Sequence, residues 1–332
     1  MGGIGSLVLQ AYLVLSLVFP VIHCRNQTHM PDDTWAVIVN ASKFWLNYRH
    51  TANAMAIYHS LKRLGLPDSR IILMQADCAI CDPRTYRPGK TFYRPGDVIL
   101  EDLYSDDVEI DYRDKDVTAE SVIRVLTGNT EHGASSGQML GSSSSSNVLV
   151  YLTGHGGDSF LKFHDQTELM ASDLGAAIEY MKMVDRFKNL FVILDTCQAS
   201  TMYEDIGVRG WAGASSSKRD QSSYALNSDP RVGTFLIDEF SHHMYEFLKS
   251  MEKANLNPTF EDMFQYIRSK RMSSDLQFDG SKYGEKGPAL PRDIPVRDFF
   301  ANSQTSAKPS MLQAPNRDQW DATLSYKTRA IT

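Results

Sequence analysis

Two apolar runs in this 332-residue chain stop at side chains that do chemistry. Asn147 to Gly157 reads NVLVYLTGHGG and delivers His155; Leu190 to Ser200 reads LFVILDTCQAS and delivers Cys197. The thiolate is the attacking form of a cysteine, and an adjacent imidazole both promotes that form and can later protonate a leaving amine. Cys197 is therefore read as a nucleophile and His155 as its general acid/base. Gly154, Gly156 and Gly157 surround the histidine, permitting close backbone approaches that larger residues forbid. The N–H groups of Gly156 and Cys197 are the expected oxyanion hole, two donors facing an acyl oxygen as it gains charge. A lone cysteine after a buried strand is commonly inert packing. Here the joint placement of thiol and imidazole points to catalysis.

The elements that must position them follow from periodicity. Continuous Val, Leu, Ile and Phe without polar alternation is the pattern of a strand covered on both faces of a parallel sheet. Catalytic groups gather just beyond the carboxyl ends of such strands. Trp35 to Val39 and Arg70 to Met74 read as further strands. Thr51 to Leu64 places Ala54, Ile57, Tyr58, Leu61 and Leu64 on one helical face, ended by Gly65 and Pro67. Residues 172 to 183 read as a helix capped by Ser172, and Val208 to Ala214 as another strand. Phe235 to Leu248 and Thr259 to Arg271 read as amphipathic helices. This alternation predicts an α/β domain with a mostly parallel central sheet and helices on both faces.

At these residues the chain resembles the caspase and legumain clan of cysteine peptidases, in which a His-Gly turn and a Thr-Cys or Ala-Cys turn follow successive strands. Within that clan it most resembles the catalytic subunits of GPI-anchor transamidases. The motifs are Phe44-Trp45-Leu46-Asn47-Tyr48-Arg49-His50, Thr153-Gly154-His155-Gly156-Gly157, Phe160-Leu161-Lys162-Phe163, and Asp195-Thr196-Cys197-Gln198 followed by Met202-Tyr203-Glu204. The resemblance implies a caspase-like sandwich over 34–300, Cys197 and His155 as the dyad, and Asn47 as the amide that supports the histidine. The other reading of Asn47 is an Asx-type cap before the helix. Trp45, Tyr48 and Arg49 are expected along a substrate groove, packing being the other reading of Trp45; Arg49 and His50 are also found in the legumain relatives, and Arg49, Ser215 and Ser216 are expected at the pocket for the attacked residue, a turn role being the other reading of the two serines.

The implied reaction needs no cofactor. Cys197 attacks the carbonyl of an attachment residue, a carboxyl-terminal peptide leaves with a proton from His155, and the ethanolamine amine of a GPI lipid resolves the enzyme thioester. A legumain-like asparaginyl endopeptidase would use the same dyad and end in hydrolysis. Against it, the Glu-Ser-Gly that follows the cysteine in those relatives is replaced by Gln198-Ala199-Ser200. A non-catalytic scaffold is the third reading, opposed by the intact Cys197, His155 and Asn47 set. The implied partners are other transamidase subunits, proproteins with carboxyl-terminal GPI signals, and the GPI lipid.

A formal charge of −6 with no basic stripe excludes an electrostatic case for nucleic acid. Gly5 to Ile22 carries no charge and is read as a secretory signal, residues 1–24, an uncleaved anchor being the competitor. Sequons at Asn26 and Asn40 agree with passage through the endoplasmic reticulum, Asn26 being favoured because Asn40 ends a buried strand. No later segment reaches the ~20 apolar residues of a membrane span, and 301–332 is a polar tail. Relatives often carry a carboxyl-terminal membrane helix, so the resemblance implies lumenal retention through partner subunits.

Four cysteines do not make a disulfide-built scaffold. Cys81 matches the family position of a disulfide to a partner subunit, while Cys78 either stays reduced or pairs locally. From Asp97 to Asp116 nine acidic residues stand among two basic ones, which reads first as a solvated face. Glu109 and Asp111 project to one side of an extended segment, hard oxygens suit calcium, and Asp68 matches a family position that completes such a structural site. The Gly/Ser-rich stretch 130–146 is expected to be a mobile surface loop.

Overall fold

The computed structural model describes residues 33–96, 101–104, 107–130, 133–279 and 294–301. The expected signal segment 1–24, Asn26 and nearly all of the 301–332 tail lie outside them. In chain order the elements are β1 (Thr34–Asn40), α1 (Tyr48–Arg63), β2 (Ile71–Gln75), β3 (Tyr112–Arg113), α2 (Ala119–Thr127) and β4 (Asn147–Thr153). Then follow β5 (Gly156–Gly157), β6 (Phe160–Phe163), β7 (Thr167–Met170), α3 (Ala171–Met183), β8 (Asn189–Asp195) and β9 (Trp211–Ser215). The last are β10 (Ala225–Asp229), β11 (Thr234–Asp238), α4 (Glu239–Lys253), α5 (Phe260–Ser269), β12 (Gln277–Asp279) and α6 (Arg297–Phe300).

Among the described residues seven strands form one sheet in the order β12-β9-β8-β4-β1-β2-β3, parallel except for the β12 edge. Its central strands are buried on both faces because successive residues feed opposite layers. Ala36, Ile38, Leu149, Tyr151, Phe191 and Ile193 pack with α1, α4 and α5, whereas Val37, Val39, Val148, Val150, Val192 and Leu194 pack with α2 and α3. This is the predicted sandwich with helices on both faces. Register brings the strand ends level: Asn40 pairs with Thr153, and Thr153 with Asp195.

Several local expectations change. Residues 235–238, read as the start of a helix, instead belong to β11, hairpinned to β10, and α4 begins only at Glu239. Alternating exposed and buried positions at Phe235 and Leu236 suit a strand edge as readily as a helix start. Ser172 lies inside α3, whose N-cap is Met170. The Ser/Gly stretch is partly packed: Leu140 and Ser146 are buried, Gln138 Nε2 donates to the Asp111 carbonyl at 3.0 Å, and the Ser146 hydroxyl donates to Asp33. Among the described residues no helix is long and apolar enough to cross a membrane.

Candidate active site

His155 and Cys197 each stand two residues beyond the paired ends Thr153 and Asp195 of adjacent parallel strands, which run about 4.8 Å apart. Their turns pack directly on each other. A Cβ on Gly156 would lie 2.4 Å from Thr196 Oγ1 and 2.7 Å from the Phe160 carbonyl oxygen, so only glycine lets the histidine turn come this close to the Thr196 side chain and the β6 backbone. The histidine turn is tied down by Lys162 N–H donating to the His155 carbonyl at 2.8 Å. The cysteine turn hangs from the segment after β9: Ser216 and Ser217 hydroxyls donate to the Thr196 carbonyl at 3.2 and 2.8 Å, and Gln198 N–H donates to the Gln221 carbonyl at 2.8 Å. Cys197 is a free, half-buried thiol.

Asn47 reaches the histidine from the start of α1. His155 Nε2 lies 2.9 Å from Asn47 Oδ1, while Asn47 Nδ2 donates to the Lys43 carbonyl at 2.7 Å. With the amide NH2 committed to that carbonyl, Oδ1 is the acceptor, so Nε2 carries the proton and Nδ1 keeps its lone pair. Asn47 occupies the N-cap position of α1 but makes no side-chain cap bond. Burial, then the charge of Arg49, holds the His155 pKa below its ordinary value, so the imidazole is neutral at pH 7 and able to accept a thiol proton.

Beneath the pair lies a polar layer that sequence reading did not identify as part of the site. Asp195, at the end of β8, accepts from Ser223 at 2.8 Å and from Ser241 at 2.5 Å, and Ser241 meets Tyr151 at 2.6 Å. Asp238, at the end of β11, accepts from Asn53 Nδ2 at 2.6 Å and faces Arg49 Nε at 3.1 Å. Burial, and then the negative charge of Asp195, pushes the Asp238 carboxyl up to about 7. The available signal was the one that singled out His155 and Cys197: each aspartate ends a largely apolar run. His50 is buried here, its Nδ1 2.8 Å from Ser42 Oγ and its ring edge-on to His155 at 5.0 Å, so it supports the floor of the site.

Other expected site residues fall elsewhere. Ser215 and Ser216 are fully buried, one at the end of β9 and the other bonded to the Thr196 carbonyl. Neither lines an open pocket; of the three pocket residues only Arg49 retains access, with 18% side-chain exposure. Asn40 is fully buried, its amide donating to Thr51 Oγ1 and Gln75 Oε1 and accepting from Ser42 N–H. That corrects the glycosylation expectation, because no glycan fits there in the folded chain. Cys81 is bonded to Cys78 within the chain, in place of the expected disulfide from Cys81 to a partner subunit.

Among the described residues no group of three or more His, Cys, Asp or Glu is arranged to hold a metal ion. Asp68 accepts from Tyr58 at 2.5 Å and stands 3.6 Å from Lys62 Nζ. Glu109 is pushed up by its hydrogen bond to Asp68. Asp111 accepts from Leu73 N–H at 2.9 Å and is pushed up to about 7 by burial, with the charges of Glu109 and Asp68 adding to it.

The sequence model of the peptidase C13 family matches residues 34–287. The GPI-anchor transamidase of Saccharomyces cerevisiae is 38% identical over 82% of this chain and 64% of its own length. The GPI-anchor transamidase of Homo sapiens is 40% identical over 81% of this chain and 67% of its own. The chain thus spans about two thirds of the length of these relatives. Among solved structures, caspase-1 from Spodoptera frugiperda overlays with a TM-score of 0.43 at 11% identity, covering 76% of this chain and 88% of that one.

Proposed function

Because the chain belongs to the peptidase C13 family, we propose that it is the catalytic chain of a GPI-anchor transamidase, with Cys197 as nucleophile. The observation that carries the reading is the His155 Nε2 to Asn47 contact at 2.9 Å on a turn packed against the Cys197 turn. Nδ1 of His155 takes the thiol proton as Sγ attacks the carbonyl carbon of the attachment residue. The N–H groups of Cys197 and Gly156 receive the developing oxyanion. Collapse breaks the C–N bond, and the imidazolium gives its proton to the departing amine of the carboxyl-terminal peptide, leaving a thioester. The ethanolamine amine of the GPI lipid then attacks that thioester, loses its proton to Nδ1, and the proton returns to the cysteine as the amide forms. The asparaginyl endopeptidase reading has no comparable support, the curated relatives above being transamidases.

The same reading sets the chain on the lumenal side of the endoplasmic reticulum, held by other transamidase subunits. A disulfide from Cys81 to one of them would form by exchange, the partner's thiolate attacking Cys81 and releasing Cys78 as a thiolate. A structural calcium is proposed at Asp68, Glu109 and Asp111. Their hard oxygens fit the ion chemically; Glu109 is hydrogen-bonded to Asp68, and the charges of both act on Asp111, whose carboxyl is raised first by burial. The ion would have to displace Lys62 and gather the three side chains.

The test of the catalytic role is replacement of the endogenous protein by Cys197→Ala in cells. Collapse of surface GPI-anchored protein, with uncleaved proprotein and free GPI lipid both accumulating, is the expected result. Surface display equal to wild type would overturn the catalytic role.

A further inference from the structure

The N–H of Cys197 is one end of a peptide unit whose other end is held from within the core. The unit joining Thr196 to Cys197 is trans and planar, so its C=O and N–H point in opposite directions, and whatever fixes the carbonyl fixes the aim of the N–H. Among the described residues no group accepts from the Cys197 N–H. The Thr196 carbonyl, by contrast, accepts from Ser217 Oγ at 2.8 Å and from Ser216 Oγ at 3.2 Å. Both serines are fully buried, just beyond the end of β9.

The two hydroxyls are not equivalent. Ser216 also donates to Asp195, so its single proton is divided between two acceptors. Ser217 Oγ accepts from Ala199 N–H at 3.1 Å, which leaves its proton for the Thr196 carbonyl alone. That one hydroxyl ties the residue before the nucleophile to the residue two places after it. The bend it spans is under strain: Gln198 holds φ 52°, ψ 31°, the left-handed region that favours glycine. Relaxation of such a bend would rotate the peptide units beside it. The segment carrying Ser217 is itself anchored. Its carbonyl accepts from Ser200 N–H at 3.0 Å, and Asp220 N–H donates to Gln198 Oε1 at 3.1 Å. Ser274 Oγ donates to the Ser216 carbonyl at 2.7 Å, and Gln221 and Asp275 exchange bonds of 3.0 and 2.9 Å.

We propose that Ser217 is a positioning residue for the oxyanion hole: by holding the Thr196 carbonyl, its hydroxyl aims the Cys197 N–H at the acyl oxygen. The proposal rests on the reading of Cys197 as the nucleophile whose N–H receives that oxygen. Activation of the thiol is left to His155 and Asn47, which arrive on other elements. A hydrogen bond at the carbonyl end also polarises the peptide unit and strengthens its N–H as a donor. Removing an oxyanion donor outright costs about 100-fold to 1,000-fold in kcat, and losing its aim is expected to cost about 10-fold to 100-fold.

The test uses the assembled complex, purified with wild-type chain, Ser217→Ala, Ser217→Thr or Ser217→Val. Threonine and valine share a shape and differ by the hydroxyl, so any overpacking at this buried position is common to both. Internally quenched peptides carrying a proprotein's carboxyl-terminal signal are cleaved with hydrazine as the acceptor amine. Iodoacetamide alkylation of Cys197, a displacement at carbon that creates no oxyanion, is followed across the titration of the thiol. In Ser217→Ala the expected result is a kcat about 10-fold to 100-fold lower at unchanged KM, with the alkylation rate and its pH profile unchanged. Ser217→Thr is expected to exceed Ser217→Val in kcat by a similar factor. A wild-type kcat in Ser217→Ala, or equal kcat in Ser217→Thr and Ser217→Val, would overturn the proposal. So would an alkylation profile that shifts together with kcat, which would make Ser217 a support for the thiol and not for the N–H. If the wild type itself cleaves no peptide and its Cys197 is not alkylated, the transamidase reading fails, and the positioning role with it.

Discussion

Gly156→Ala is the sharpest perturbation of the site. A Cβ there would meet Thr196 Oγ1 at 2.4 Å, the Phe160 carbonyl oxygen at 2.7 Å and Thr196 Cγ2 at 3.2 Å. Ordinary contact lies near ~3.5 Å, so the histidine and cysteine turns must separate by the better part of ~1 Å. Overpacking of this kind costs about 1–3 kcal/mol of stability, and a displacement of about 1 Å in a catalytic group costs on the order of 100-fold in rate. The variant is expected to fold, melt lower, and turn over peptide about 100-fold more slowly while iodoacetamide still reaches the thiol. Thr196→Ala in the same chain removes the 2.4 Å clash, and the Thr196 hydroxyl it sacrifices is buried without a partner. It leaves the 2.7 Å clash with a backbone carbonyl, so recovery should be partial. Thermal melts and single-turnover cleavage of both proteins decide the matter. Wild-type rate and melting temperature in Gly156→Ala would refute the packing of the two turns from which the dyad is argued.

Asn47→Ala removes the bond that fixes the His155 proton on Nε2 and should lower kcat about ten-fold, one hydrogen bond's worth of about 1.4 kcal/mol, at unchanged KM; an unaltered kcat would show that the tautomer needs no support. The Asp111 carboxyl sits near 7 in the folded chain against an ordinary 3.8. The stability it contributes is present below that ordinary value and lost as pH rises through about 7. In chelator, the melting temperature of Asp111→Asn should therefore gain on wild type from pH 6 to 8, and millimolar calcium should close that gap by stabilising wild type; a gap indifferent to calcium removes the cation. Asn40→Gln should leave gel mobility and endoglycosidase sensitivity untouched while lowering the melting temperature, because its bonds to Thr51 and Gln75 are buried. A mobility shift would show that Asn40 carries a glycan.

What was legible in the chain was what apolar burial writes into it. The runs ending at Asn40, Thr153 and Asp195 carry only the signature of doubly covered strands, and His155 and Cys197 stood out because each follows such a run. Asn47 came only through family resemblance, since an asparagine before a helix is equally a cap. What could not be read was which polar side chains face inward. Asn40, His50, Ser215 and Ser216 have the composition of surface residues, and their burial depends on partners distant in sequence, such as Asn40 with Gln75. The Asp195 and Asp238 layer escaped for the same reason: each carboxylate ends an apolar run, but that the ends of β8 and β11 meet depends on contacts distant in sequence. Hairpin β10–β11 was half taken for helix because the short apolar run Phe235-Leu236-Ile237 fits either period.

The level ends of β4 and β8 also bear on how the enzyme comes into being. Thiol and imidazole follow strands joined by a crossover through α3, and parallel pairing across such a crossover is among the slower events of folding. A slip of two residues between β4 and β8 would keep every side chain on its proper face, yet carry the thiol about 6.6 Å along the sheet. A misregistered chain therefore holds both groups without holding a dyad. Active-site reactivity in such a molecule is a readout of completed folding.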